Sequence, residues 1–290
     1  MTGAVVVTGA AGSLGRHLCE TFRARGREVR ALVRAPERFA LAGVRAARCD
    51  LPGVLDESVL SGATAIVHCA YATRTTDMEE ARRVNDDGTR RVLDAARRAG
   101  IPRVVFISSI IARPDAPSYY ARSKHALETL LAAGRDLVVR PGLILAREGN
   151  GLFQQMRDTI RRTHVVPLFD GGRQPVQTVH MADVCEAIAR ALDRDLTGAL
   201  DVAEPEALPL GTFLRMIAAR LRVRCLFLPL PFRPVLAAVR AIEAARLPFP
   251  LRSESMLGLQ ALRNVSVEPS LRRLDMTVRT AAESLGDVLP

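Results

Sequence analysis

The sequence contains no tryptophan and only 4% aromatic residues, so it lacks the basic stretches interleaved with aromatics that nucleic-acid binders use. No long apolar run is present either. The strongest stretch, Cys225 to Val239, is interrupted by Pro229, Pro231, Arg233 and Pro234 and falls short of the roughly 20 unbroken residues of a spanning helix. Cysteine is sparse: Cys19, Cys49, Cys69, Cys185 and Cys225 are odd in number and form no CxxC, which argues against a disulfide framework and for a reducing compartment. His17, His68, His125, His164 and His180 show no HExxH or mixed His/Cys ligand spacing, so no metal site is expected. The opening MTGAVVVTG has no basic leader or cleavage site. It reads as a first strand, and a cytoplasmic protein is expected.

Lysine is the scarcest charge. Of 41 Lys and Arg residues against 31 Asp and Glu, only Lys124 is a lysine. The net charge of +10 is spread without runs, which fits an arginine-biased surface, or attraction of a phosphorylated cofactor or acidic substrate, and excludes nucleic acid as the expected partner. A guanidinium serves wherever surface charge suffices, but not where a compact ammonium must act at short range. Lys124 is therefore a suspect before any motif is considered.

The 290 residues, 48% hydrophobic and 25% charged with 20 Gly and 17 Pro, suit one large α/β domain or a domain plus a cap. Apolar runs at Ala4 to Thr8, Val29 to Val33, Ala65 to His68, Val104 to Ser108 and Leu137 to Arg140 alternate with amphipathic segments at Ser13 to Arg25, Met78 to Ala99 and Tyr119 to Ala132. That rhythm predicts a Rossmann-type, doubly wound parallel sheet covered on both faces. Ligands then bind beyond the carboxyl ends of the strands, so Thr8, Val33, Cys49, His68, Ser108 and Arg140 are expected around one crevice. Past Gly142 the rhythm loosens, although Met181 to Leu192 reads as a further helix. Residues 1–205 are read as the dinucleotide-binding core, with a substrate-side excursion at about 143–175, and 206–290 as a smaller, mostly helical substrate cap.

Between the first strand and the first helix lies Thr8-Gly9-Ala10-Ala11-Gly12-Ser13-Leu14-Gly15. Glycines at this spacing permit a tight turn and close approach of the backbone to a pyrophosphate, and the helix N-terminus supplies amide donors. Gly9, Ala11, Gly12, Ser13, Leu14 and Gly15 are the candidate phosphate-loop residues. At the end of the second strand an NAD site wants an acid, whereas a 2′-phosphate wants arginine. The sequence there is Val33-Arg34, with Arg16 nearby, so NADP is expected, with NAD as the alternative. Asp50 and Leu51 are candidates to border the adenine, turn capping by Asp50 being the other reading.

Tyr120-Ala-Arg-Ser-Lys124 sets a phenol and an ammonium four residues apart on one helix face. A neighbouring ammonium is expected to lower the phenol pKa and fit it for proton transfer. Ser109, just past a strand end, is placed to hydrogen-bond the reacting oxygen.

Together these residues resemble the short-chain dehydrogenase/reductase superfamily, in its extended branch, the NAD(P)-dependent epimerase/dehydratase family. The matching segments are TGAAGSLG at Thr8 to Gly15, Asp50-Leu51, VHCA at Val67 to Ala70, NDDGTRRVLDAA at Asn85 to Ala96, RVVFISS at Arg103 to Ser109, YARSK at Tyr120 to Lys124, VVRPG at Val138 to Gly142 and VHMADV at Val179 to Val184. The resemblance implies Ser109, Tyr120 and Lys124 as the catalytic triad, with Lys124 also on the nicotinamide ribose. It further implies Ala70, Asn85, Ser108 and Pro141 along the cofactor, and homodimerisation through a helical face.

Three departures bear on the substrate. Ile110 and Ile111 follow Ser109 where dehydratases of the family carry acids, which disfavours dehydration. Leu143 and Val176 stand where nucleotide-sugar members place Asn and Arg, with Arg173 as a stand-in. Only eleven positions separate Ser109 from Tyr120, so the pocket is expected either to be more open or to be roofed by the proline- and leucine-rich Leu226 to Pro250 segment. That segment is expected to pack as a cap, the alternative being a membrane-surface or apolar-substrate role. His180 and Asp183 are read as turn and capping residues, and His68 and Cys69 as packing beside the cofactor.

The expected activity is NADP-dependent interconversion of a ketone and a secondary alcohol on a small or medium metabolite. A nucleotide-sugar 4-epimerase or 4-ketoreductase is the first alternative, and a non-catalytic dinucleotide-binding assembly or sensor protein the second.

Overall fold

The computed structural model describes residues 3–73, 77–247 and 251–290. Pro248 to Pro250, the end of the proline- and leucine-rich segment, lie outside them.

Among the described residues, fourteen strands and eleven α-helices follow one another. The first half runs β1 (Ala4–Thr8), α1 (Ser13–Ala24), β2 (Val29–Val33), β3 (Val44–Asp50), β4 (Val54–Leu55), β5 (Ala63–His68), α2 (Met78–Arg82), α3 (Gly88–Arg98), β6 (Arg103–Ile107), α4 (Tyr119–Glu128) and β7 (Leu137–Pro141). The second half runs β8 (Leu143–Leu145), α5 (Leu152–Thr163), β9 (Val165–Phe169), β10 (Pro175–Val176), β11 (Thr178–His180), α6 (Met181–Asp193), β12 (Gly198–Val202), β13 (Leu208–Pro209), α7 (Leu210–Arg220), β14 (Leu226–Leu230), α8 (Phe232–Ala244), α9 (Ser253–Gln260), α10 (Glu268–Leu274) and α11 (Ala281–Val288).

The main sheet has eight strands in the order β12-β7-β6-β5-β1-β2-β3-β4. Every pairing in it is parallel except that of β3 with β4. Valines and alanines of β1, β5 and β6 are sealed on both faces, one by the α1/α6 side and the other by α3, as a sheet covered on both sides requires. The chain moves outward through β2 and β3 and then returns to β5. The strand order therefore reverses between β1 and β5, and the crevice opens there.

The predicted helix from Met78 to Ala99 is not continuous. A π-helical stretch, Arg83–Asp87, separates α2 from α3. The wider turn accommodates Asn85, which is fully buried and bonded to the loop after β5; π turns commonly mark functional positions. The α4 helix ends at Glu128 rather than Ala132, where the chain turns so that the Ala132 N–H meets the Asp136 carboxylate at 2.8 Å.

The later elements form a second layer. The α5, α7 and α11 helices pack around Phe153, Phe213 and Ile217, while α8 and α9 enclose Phe232, Leu236, Val239 and Met256 against Phe169. The chain then returns to the sheet: Ser270 of α10 accepts the Asp201 N–H of β12 at 3.0 Å, and Leu274 joins the main core.

Candidate functional site

The phosphate loop is shaped by close backbone approach. Gly9 has φ +64°, and a Cβ there would lie 2.8 Å from the Ala70 nitrogen. A Cβ on Gly15 would lie 2.4 Å from the Gly9 carbonyl oxygen. Only glycine fits either position. The Gly12 N–H donates to Gly9 O at 2.9 Å. No side chain caps α1 and no acid occupies its first turn, so the N–H groups of Ser13, Leu14 and Gly15 have no intrahelical acceptor. Ala11 and Gly12 are exposed beside them. This cradle of open amide donors, without a competing carboxylate, fits a pyrophosphate.

Flanking residues divide into available and engaged. Arg34 is exposed at the end of β2, next to buried Val33. Arg16 is tied to Ala40 O at 3.1 Å and to Glu20 at 3.4 Å. The Ser13 hydroxyl donates to Glu148 O at 3.2 Å. Asp50 is exposed at the end of β3, and Leu51 packs where a Cβ on Gly88 would come within 2.9 Å.

A buried polar chain links the phosphate loop to the loop after β5. The Ala70 N–H donates to the Thr8 hydroxyl at 3.2 Å, and that hydroxyl lies 2.7 Å from His68 Nδ1. His68 Nε2 lies 3.0 Å from the Thr89 hydroxyl. Burial, with the nearby Lys124 charge adding to it, pushes His68 down to about 3. It is a neutral linker rather than a reactive group. One turn further, Asn85 binds both the N–H (2.6 Å) and the carbonyl (3.1 Å) of Ala72. Asn85 and Ala70 thus fix the loop beside the crevice.

Of the three residues expected to do chemistry, Ser109 and Tyr120 meet beyond β6. Burial raises the Tyr120 phenol above its ordinary value, and a hydrogen bond with Ser109 offsets part of the rise. This reverses the expected depression by Lys124. The ammonium of that residue is aimed elsewhere: it donates to Ile107 O at 2.7 Å and sits 3.8 Å from the centre of the Tyr71 ring and 4.8 Å from that of Phe106. Lys124 is buried, and loss of hydration pushes it down to about 7. Contact with two ring faces recovers part of that loss.

Several neighbours of this cluster escaped the sequence reading. Tyr71 meets the Tyr120 ring edge-on at 5.5 Å. Its hydroxyl donates to Ser123 at 3.0 Å, and Ser123 donates in turn to Asp86 at 2.7 Å. Glu254 of α9 accepts the Tyr120 N–H at 3.0 Å, and Arg113 donates to Ala261 O at 2.7 Å. The roof over the short Ser109–Tyr120 connection is therefore α9, just beyond the proline- and leucine-rich segment. Glu243 of α8 anchors its start through the Ser253 N–H (3.0 Å) and hydroxyl (2.6 Å). Scarcity was the available signal for Tyr71, one of three tyrosines; the contacts of Glu254 and Arg113 span more than a hundred residues and leave no local pattern.

Ser108 is nearly fully buried and its hydroxyl donates to Glu128, which also holds Arg140 through both carboxylate oxygens. The Ser108 side chain is therefore committed to an ionic cluster behind Lys124. Pro141 closes β7, where its carbonyl accepts the Ile110 N–H at 3.0 Å. His180 caps α6 through the Ala182 N–H at 3.1 Å, and Asp183 pairs with Arg279 at 2.9 Å. Both have the supporting roles expected of them. Leu143 and Val176 pack in the α5/α7 core, and Arg173 is exposed. Among the described residues no cluster of three or more His, Cys, Asp or Glu side chains is arranged to hold a metal ion.

The profile of the NAD dependent epimerase/dehydratase family matches residues 5–202. The chain belongs to that family. It is 31% identical over 268 residues to a 4-hydroxy-2-methyl-3-oxo-4-farnesyl-3,4-dihydroquinoline-1-oxide ketoreductase of Stigmatella aurantiaca, covering 82% of this chain and 79% of that protein. A ceramide reductase of Caulobacter vibrioides is 32% identical over 212 residues, covering 70% of this chain and 65% of that protein. A short-chain dehydrogenase/reductase superfamily protein of Agrobacterium tumefaciens, solved with bound NAD, superposes with a TM-score of 0.72 at 20% identity, covering 98% of this chain and 95% of that one. The protein is an NAD(P)-dependent oxidoreductase or epimerase of the extended short-chain dehydrogenase/reductase type. No helix among the described residues is long and apolar enough to cross a membrane.

Proposed function

We propose that the protein is an NADP-dependent ketoreductase acting on a ketone of a lipophilic molecule. The observation that supports this best is the Tyr120 phenol hydrogen-bonded to Ser109, with the single lysine buried one turn further along the same helix. A phenol beside a serine hydroxyl can give its proton to the oxygen of a carbonyl that takes up a hydride, the step that ketone reduction requires.

Gly9, Ala11, Gly12, Ser13, Leu14 and Gly15 hold the pyrophosphate, Arg34 the 2′-phosphate, Asp50 and Leu51 the adenine side, and Ala70, Asn85 and Pro141 the nicotinamide side, with the Ser108 hydroxyl committed to Glu128 behind them. When bound, the cofactor supplies the hydride that the carbonyl carbon accepts. Ser109 donates a hydrogen bond to the carbonyl oxygen and so polarises it. Tyr120 transfers its proton to that oxygen as the alcohol forms. Lys124 holds the cofactor ribose. Tyr71 keeps the ammonium and the phenol in register.

The substrate reading draws on the two relatives, whose names include a farnesyl group and a ceramide, and on the apolar positions Leu143 and Val176, which offer nothing to a sugar diphosphate. Residues 1–205 form the dinucleotide unit, and 206–290 with the excursion at 143–175 the substrate side.

The test is NADPH oxidation against a panel of lipophilic ketones. Turnover is expected, with Tyr120→Phe lowering kcat by about 10²–10⁴-fold. An unchanged Tyr120→Phe rate, or turnover confined to UDP-sugars, overturns the assignment.

A further inference from the structure

Two short strands far from the crevice form a surface with a chemistry of its own. Strands β9 and β14 pair in parallel, Val165 opposite Leu226 and Pro167 opposite Leu228. Their alternate residues Val166, Leu168 and Phe227 face the α5/α7 core. The other face presents Val165, Leu226 and Leu228 at 42%, 61% and 41% exposure. Cross-strand neighbours are side by side, so these side chains form one apolar strip rather than scattered exposures.

Parallel pairing also brings the two strand starts together. Arg161 and Arg162 precede β9, and Arg222 and Arg224 precede β14; all four are exposed. The ends are tied by the Leu226 N–H on His164 O at 2.8 Å and by His164 Nδ1 on Arg224 O at 3.3 Å. Among the described residues no acidic side chain pairs with any of the four guanidinium groups, although neighbouring Arg157 is paired with Asp158 at 3.0 Å. Four unpaired positive charges beside an apolar strip match a bilayer surface bearing anionic head groups: the arginines meet phosphates while the leucines enter the acyl boundary.

We propose that the outer face of the β9–β14 ribbon docks this protein on anionic lipid bilayers. At its far end the ribbon runs into the Phe169, Phe232 and Met256 cluster, which carries α9 and, through Glu254, the Tyr120 helix. Docking would set the roof of the crevice beside the lipid phase.

The full chain is sedimented with vesicles of phosphatidylcholine alone and with phosphatidylglycerol added, at low and high salt. Binding is expected only to the anionic vesicles and is expected to fall with salt. Arg222→Gln with Arg224→Gln should weaken it about 30-fold, two basic residues' share. Leu226→Ser with Leu228→Ser should weaken it on the order of tenfold or more. Circular dichroism and turnover of a water-soluble ketone should match the unsubstituted protein in both variants, which separates docking from catalysis. Equal binding to both vesicle types, no binding to either, or variants that bind as the parent does would overturn the proposal. So would a solution dimer that the leucine variant dissolves, because the strip would then be covered by a second copy.

Discussion

The protein holds positive charge in two contrasting ways. Lys124 is buried, donates to a backbone carbonyl, lies on two aromatic rings, and has its pKa driven down to about 7. The arginines at the start of the β9–β14 ribbon are exposed and have no acidic partner among the described residues. The first arrangement destabilises the charge; the second leaves it hydrated and available for a surface. Residue chemistry follows the same division, since a compact ammonium suits the tight site and a broad guanidinium the open one.

The largest effect should come from exchanging the two kinds of cation. Lys124→Arg is expected to lower kcat/KM for ketone reduction by about 100-fold or more, measured by NADPH oxidation, because the larger, planar group cannot take the place of the compact ammonium buried against Ile107 O. A wild-type rate would remove the distinction.

Next is a stability effect with a pH signature. The Lys124 pKa falls from 10.5 to about 7 on folding, so between those values the unfolded chain binds a proton that the folded chain does not. Stability of the cofactor-free protein should therefore rise with pH across that window, and the cost of the buried ammonium is in full force below pH 7. Lys124→Met should stabilise the protein near pH 6 by roughly 2 kcal/mol, with the gain shrinking toward pH 10 in urea titrations. A pH-independent difference would mean that the ammonium is hydrated.

A smaller change is expected at the mouth of the phosphate loop. Arg34→Ala should reduce the preference for NADPH over NADH about tenfold, the scale of one charge-assisted hydrogen bond, as read from Kd values. The smallest effect belongs to Arg222→Lys with Arg224→Lys. It should change vesicle binding by less than about threefold, since either cation meets a head-group phosphate.

The two regions also differed in how much the sequence disclosed. Gly9 and Gly15 were legible because backbone contact with Ala70 and Ala10 admits no side chain, and the alternation of strands and helices gave the sheet. Tyr120 and Lys124 were legible by helical spacing. The contact of α9 with the Tyr120 helix was not, because it is made by Glu254 from 134 residues away. The π turn at Asn85 was hidden too, since it answers to Ala72 rather than to its own helix. Within the stretch from Leu226, apolar composition concealed a split: Phe232, Leu236 and Val239 are core, while Leu226 and Leu228 face outward. Only pairing with β9 separates the two groups.

The most direct test of the account is the identity and exchangeability of the nicotinamide cofactor. An aliquot is denatured for mass spectrometry before and after dialysis, and the dialysed protein is titrated with NADPH and NADH. Net ketone reduction predicts a protein that empties on dialysis and rebinds NADPH in preference to NADH. Stoichiometric NAD surviving dialysis would contradict it and point to an enzyme that oxidises and re-reduces the same carbon.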